Sequence, residues 1–344
     1  MEYYGSPRSF GDVGGGVRQT NGHSGHHKVD NLLLDVGLSS CSCCNGNAHR
    51  NHVNNGYLLS GSLPPQLYKY DDLPGFLKGN PFIRSGYTSQ LSYPLCFKSV
   101  CSWNNETVNV WSHLMGALMF VSLLFYDNFV SIPRMKGDLF DHLVLTLALT
   151  SFIFCLMCSA GYHTFGCHSE HFYEKWLAID LTGISIGVLG CYLPGVYYAF
   201  YCMQGWRNLY MIVISALFGA VLIVQSVPQN SKNISTSWFF RQRILLYVCL
   251  IAYGIIPTVH WVYLTGGLHS PLVVAFLPKV VVVYLLAILA FFFYISKFPE
   301  RVFPGRFDFL GSSHQIWHVI VLVVFLWWYQ AGREILEVRL RGQC

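Results

Sequence analysis

The chain has 344 residues and a formal net charge of +5; it is 53% hydrophobic and 16% aromatic but only 11% charged. Soluble domains carry about 25% charged residues, so this chain lacks the charge to cover a surface that faces water. A soluble enzyme of ordinary composition, a collagen, a coiled coil and a wholly disordered chain are excluded, and a membrane protein remains.

Residues 1–66 are rich in Gly, Ser, Asn and His and lack apolar periodicity, the composition of a disordered tail. His23, His26 and His27, with Cys41, Cys43 and Cys44 nearby, are donor types for metal, but a solvated low-complexity segment is the plainer reading. No apolar run opens the chain as a secretory signal would. No Lys/Arg cluster points to nucleic acid.

Residues 67–106 read as a juxtamembrane amphipathic segment. Tyr68, Leu73, Phe76, Leu77, Phe82 and Ile83 lie among Asp71, Asp72, Lys78 and Arg84, and Pro74 and Pro81 prevent one long helix. The stretch 68–87 is too short and too polar to span, and is expected on the membrane face as a candidate partner-binding surface.

Seven apolar runs follow, with cores at 108–132, 139–165, 176–199, 208–228, 244–265, 271–296 and 314–332. Each is about 19–27 residues, long enough for a bilayer at 1.5 Å per residue. Backbone polar groups in lipid must bond within their own segment, so the runs are expected as helices. The expectation is an all-α, seven-transmembrane bundle over 107–332, with a short tail at 333–344.

Let side A be the side of the N-terminus. From Arg84 onward it holds nine basic residues (Arg84, Lys98, Lys175, Lys232, Arg241, Arg243, Lys297, Arg301 and Arg306). Side B holds six (Arg134, Lys136, Arg207, Arg333, Arg339 and Arg341). The positive-inside rule then makes the N-terminus cytosolic and the C-terminus luminal or extracellular. The sequons at Asn105 and Asn233 fall on side A and are expected to stay bare.

Ionisable residues inside spans are costly, so each needs a reason. His163 closes the second span, Asp180 lies one turn into the third, and His314 and His318 open the seventh. Spans alternate in direction, so all four sit near side A. His314 and His318 are i, i+4 and share a helix face. Two such imidazoles, with a third from a neighbouring helix, make a three-His zinc set with a fourth position open. Asp180 is then placed to act on water there, and Ser159, four residues before His163, to hydrogen-bond water or a substrate oxygen. A proton relay or a purely structural polar cluster is the competing reading.

Other polar residues in or near the spans read more plainly. Glu106, Asn109, Ser112 and His113 open the first span as caps or buttresses of the site, with a direct metal role for His113 the lesser reading. Cys155-x-x-Cys158 has redox spacing but lies in a span, where thiols are usually small core hydrophobes. His260 is expected to hydrogen-bond at the Pro257 kink, and Lys279 to extend toward side B.

Four motifs carry a resemblance: Asn105-Glu-Thr-Val-Asn109-Val-Trp-Ser112-His113, Ser159-Ala-Gly-Tyr-His163-Thr-Phe-Gly-Cys-His168, Asp180-Leu-Thr-Gly-Ile184 and Ser312-Ser-His314-Gln-Ile-Trp-His318. With Leu73-Pro74 and Asn80-Pro81 through Gly86-Tyr87, residues 67–335 resemble the progestin and adipoQ receptor family, which includes the adiponectin receptors. Thr88 stands where members often have Arg. Gly183 to Tyr192, Tyr198 to Cys202 and Tyr294 to Arg301 resemble its Golgi branch. The resemblance implies zinc on His163, His314 and His318 with Asp180 beside it. It also implies a Golgi membrane protein whose cytosolic N-terminal region tethers Raf kinase and damps MAP kinase signalling.

Three functions stay open. One is that scaffold. The second is a zinc-dependent hydrolase of lipid amides such as ceramide, with Asp180 and Ser159 as its catalytic residues. The third is a ligand-binding receptor of the adiponectin or progestin type, for which the short tail after Gly332 offers little ligand-binding surface.

Overall fold

The computed structural model describes residues 65–226 and 236–342. The His- and Cys-bearing tail and the Asn233 sequon lie outside the described residues.

Among the described residues, seven helices are long and apolar enough to cross a membrane: Thr107–Met135, Leu139–Phe165, Glu170–Ala199, Gln204–Gln225, Leu245–Leu264, Pro271–Ser296 and Ser313–Leu340. They are called the first to seventh spans. Residues 136–138, 166–169, 200–203 and 265–270 make short links, which force sequence neighbours to run antiparallel. Among the described residues there is no strand, only an isolated bridge between Tyr68 and Tyr87.

Local chemistry sets the span ends. Asp138 and Asp141 form a reciprocal capping box at the start of the second span, each accepting from the other's backbone N–H at 3.0 Å. The first span carries a π turn at Asp127–Ser131. The fifth is broken at Gly254, between helices Thr236–Tyr253 and Ile255–Leu264. A Cβ at Gly254 would sit 2.5 Å from the Tyr284 hydroxyl oxygen and 2.8 Å from that of Tyr192.

The second and third spans approach most closely along Gly183, Gly187 and Gly190, one face at i, i+4, i+7. A Cβ at Gly183 would meet Cys158 at 2.9 Å, and one at Gly190 would meet Ser151 at 2.6 Å. Small residues at such a seam let backbones approach in lipid, where helices gain little from hydrophobicity alone. Cys155 and Cys158 are buried free thiols on this seam, as packing rather than redox use requires.

Two apolar layers fill the bundle. Near mid-span, Phe120, Phe152 and Phe325 pack together, with Phe152 and Phe325 stacked at 4.4 Å. Toward side B, Ile132, Leu145, Tyr198, Phe200, Ile214 and Leu336 are buried in one cluster. A polar knot ties the third, fourth and fifth spans. Gln225 donates to Ser185 at 2.9 Å and to the Tyr247 hydroxyl at 2.8 Å, and Tyr247 donates to the Leu181 carbonyl at 2.6 Å.

The seventh span continues to Leu340, eight residues past the apolar run. Polar side chains on neighbouring spans account for the extension. Arg339 is buried and donates to the carbonyls of Tyr198 at 3.1 Å and Ala199 at 3.2 Å, at the C-terminal end of the third span. Lys279 reaches Glu334 at 2.7 Å and lies over Trp327, in the direction of side B. His260 bonds the Tyr210 hydroxyl at 2.9 Å.

Residues 68–87 form a strap of two 3₁₀ turns, Tyr70–Asp72 and Gly75–Leu77, and the helix Tyr93–Val100 follows. The strap is bonded to the loop 297–312. Asp308 accepts from the Arg84 backbone at 2.9 Å and the Ser85 hydroxyl at 2.7 Å. Glu300 accepts from the Asn80 amide at 3.1 Å, and the Gly305 N–H donates to the Phe82 carbonyl at 3.0 Å. Its apolar residues Leu73 and Ile83 are buried.

Candidate metal centre

The two ends of the site come from helix termini on one side of the bundle. His163 lies in the last turn of the second span, and His314 and His318 in the first turns of the seventh. Their Nε2 atoms face one another: His163 to His314 at 3.3 Å, and His314 to His318 at 3.2 Å. All three donor atoms lie within 4.8 Å of one another. A tetrahedral ion bonded at about 2.0–2.1 Å requires ligand nitrogens about 3.3–3.4 Å apart. Two of the three edges lie near that spacing, so the cluster is compatible with a metal ion held by the three imidazoles.

The outer contacts orient the donors. His163 Nδ1 lies 2.8 Å from Glu106 Oε2, and the Asn109 amide donates to the same oxygen at 2.6 Å. His113 stacks on His318 with ring centroids 3.9 Å apart. Glu106 heads the first span without capping it through its side chain; the end is organised by Asn104, whose Oδ1 accepts from the Glu106 N–H at 2.8 Å.

The seventh span is anchored just before its first histidine. Glu300, fully buried, accepts from the Ser313 N–H at 2.8 Å and from the Ser313 hydroxyl. A carboxylate at a helix N-terminus satisfies an orphan donor and complements the helix dipole. Gln315 donates to the Asn105 carbonyl at 3.2 Å, joining the first and seventh spans. Glu300, Asp308 and Gln315 were not legible as site supports: in sequence they are ordinary loop and interface residues.

Ser159, Asp180 and the three histidines line one cavity of about 1380 Å³. The cavity also meets Phe76, Ile83 and Tyr87 of the strap, and Phe276, Lys279 and Ile335 toward side B. It therefore runs along much of the bundle with its polar cluster near one end.

The candidate partner-binding residues do not gather into one exposed patch. Leu73 and Ile83 are buried, Phe76 packs edge-on against Tyr173 at 5.8 Å, and Phe76, Leu77 and Ile83 line the cavity. Tyr68 pairs with Tyr87 through backbone bonds of 2.8 and 3.2 Å, and Phe82 is half-buried beside the loop. Thr88 is buried.

A family model described as Haemolysin-III related matches residues 101–329. The chain is 45% identical over 280 residues to Progestin and adipoQ receptor family member 3 of Homo sapiens, covering 81% of this chain and 89% of that protein. It is 32% identical over 271 residues to the Adiponectin receptor protein of Drosophila melanogaster, covering 78% and 60%. It is 31% identical over 284 residues to Heptahelical transmembrane protein 1 of Arabidopsis thaliana, covering 80% and 82%.

Proposed function

The chain belongs to the Haemolysin-III related, progestin and adipoQ receptor family, and on that premise we propose that it is a Golgi membrane scaffold that sequesters Raf kinase and restrains MAP kinase signalling. The observation that carries this is the strap. Residues 68–87 are bonded to the loop 297–312 through Asp308 and Glu300, so side A offers a cross-tied surface for a partner. A partner held at one membrane is absent from another, and a cross-tied surface lowers the ordering cost of holding it.

Side A is cytosolic in this reading, with side B in the lumen. The excess of basic residues on side A supports it. The metal is zinc, held by His163, His314 and His318 near the cytosolic face. Imaging of Raf kinase co-expressed with the full chain tests the scaffold. Retention of the kinase on Golgi membranes is expected; a kinase that stays diffuse defeats the reading.

The cavity favours one further reading, a lipid amide hydrolase. Zinc on three imidazoles supplies Lewis-acid activation of water and carbonyl. Asp180 then takes the proton of the attacking water and returns it to the leaving amine, while Ser159 donates to a substrate oxygen. The cavity's apolar walls receive the acyl chains. Asp180→Asn is expected to abolish ceramide turnover without affecting membrane insertion. Zinc-loaded protein with no amidase activity on any lipid rules this reading out.

A further inference from the structure

Glu106 at the head of the first span, and Asn109 and His113 within it, recur at i, i+3, i+7 and so share one helix face. That face meets the back of the three-His cluster. His113 lies flat against His318 at 3.9 Å, and Asn109 bonds Glu106, which bonds His163 Nδ1 at 2.8 Å. We infer that Glu106 is a positioning residue for the metal centre, fixing the tautomer and ring orientation of His163 so that its Nε2 lone pair faces the ion. The inference rests on the metal reading given above.

The geometry separates this role from direct ligation. Nδ1 and Nε2 project from different edges of the imidazole ring. Nε2 of His163 faces His314 at 3.3 Å, and Glu106 is on the Nδ1 edge. A carboxylate there accepts the Nδ1–H proton, which leaves Nε2 as the nitrogen without hydrogen. An imidazole with a free ring is able to rotate or to place its proton on the ligating nitrogen, and both weaken binding. Asn109 limits where the carboxylate goes, because its amide donates to the same oxygen that meets His163. The first span thus contributes no metal ligand and still sets the aim of one.

The test is zinc affinity of the purified full chain, measured by competition with a chromophoric chelator, together with the visible spectrum of the Co²⁺-loaded protein. Glu106→Leu removes the acceptor; Glu106→Gln keeps an acceptor oxygen and the shape. Outer-shell losses of this kind cost roughly 10–100-fold in metal affinity. Glu106→Leu is expected at that level and Glu106→Gln at less, with the Co²⁺ bands of the wild type retained because the ligand set is unchanged. His163→Ala provides the benchmark for true ligand loss, with altered bands. If Glu106→Leu does not yield folded protein, Glu106→Gln decides, with about a threefold or greater loss supporting the inference. Unchanged affinity in the folded variants overturns it, as does a Glu106 variant whose Co²⁺ bands shift like those of His163→Ala. A wild type that binds no zinc overturns the metal reading itself, and this inference with it.

Discussion

Glu300→Ala is the perturbation with the largest expected reach. The carboxylate is fully buried and accepts three hydrogen bonds: from the Ser313 N–H at 2.8 Å, from the Ser313 hydroxyl, and from the Asn80 amide at 3.1 Å. Alanine leaves three donors without partners. At about 1–3 kcal/mol for each buried orphan the loss would be about 3–9 kcal/mol. Water entering the vacated volume re-pairs some of them, so the lower part of the range applies, about 4 kcal/mol. Glu300→Gln keeps an acceptor oxygen and should lose about 1–2 kcal/mol. The measurement is reversible unfolding in mixed micelles, with a double-mutant cycle against Asn80→Ala to isolate that bond, expected near 1 kcal/mol of coupling. Because Ser313 directly precedes His314, zinc affinity should fall in parallel. A Glu300→Ala protein within about 1 kcal/mol of wild type, or one with unchanged zinc affinity, would refute the argument that this carboxylate anchors the seventh span.

Replacing both His314 and His318 with Ala should reduce bound zinc to background in metal analysis, and Raf localisation in the same variant shows whether metal and tethering are coupled. Gly187→Leu should split the second and third spans: even a Cβ there would lie 2.8 Å from Phe325 and 3.0 Å from Cys155, so folded yield on size exclusion should collapse. Arg339→Ala removes bonds to the Tyr198 and Ala199 carbonyls and should destabilise by about 2–3 kcal/mol while leaving zinc affinity intact, since Arg339 lies at the opposite end of the bundle.

Much of the architecture follows from local arithmetic. Hydropathy summed over a window and a rise of 1.5 Å per residue are enough to mark seven spans; most helix ends fall close to those runs, but the third begins earlier, at Glu170, and the seventh continues to Leu340. The three-His site was legible for a related reason. Alternation of span direction places His163 and His314 at one face, and i, i+4 spacing brings His318 under His314; in the packed bundle the three side chains lie together, with Nε2 atoms 3.3 and 3.2 Å apart. The strap was less legible. Its amphipathic pattern reads as membrane-facing, yet Leu73 and Ile83 are buried because hydrogen bonds from Arg84, Ser85 and Asn80 hold the segment to a loop more than 200 positions away.

The order of apolar and polar residues by itself determined the solvent, the number of spans and which histidines share a depth, because each depends on neighbours along the chain. Only the tertiary structure decided which acidic side chains turn inward. Nothing in Lys297-Phe-Pro-Glu300-Arg301 distinguishes Glu300 from a solvated loop glutamate. Its burial is settled by Ser313 and Asn80, and that of Asp308 by Arg84 and Ser85. Glu106, only partly buried, likewise meets a distant partner, since His163 lies 57 residues away on another span. A carboxylate is buried when distant donors converge on it and offset its desolvation, and convergence is a property of the packed bundle.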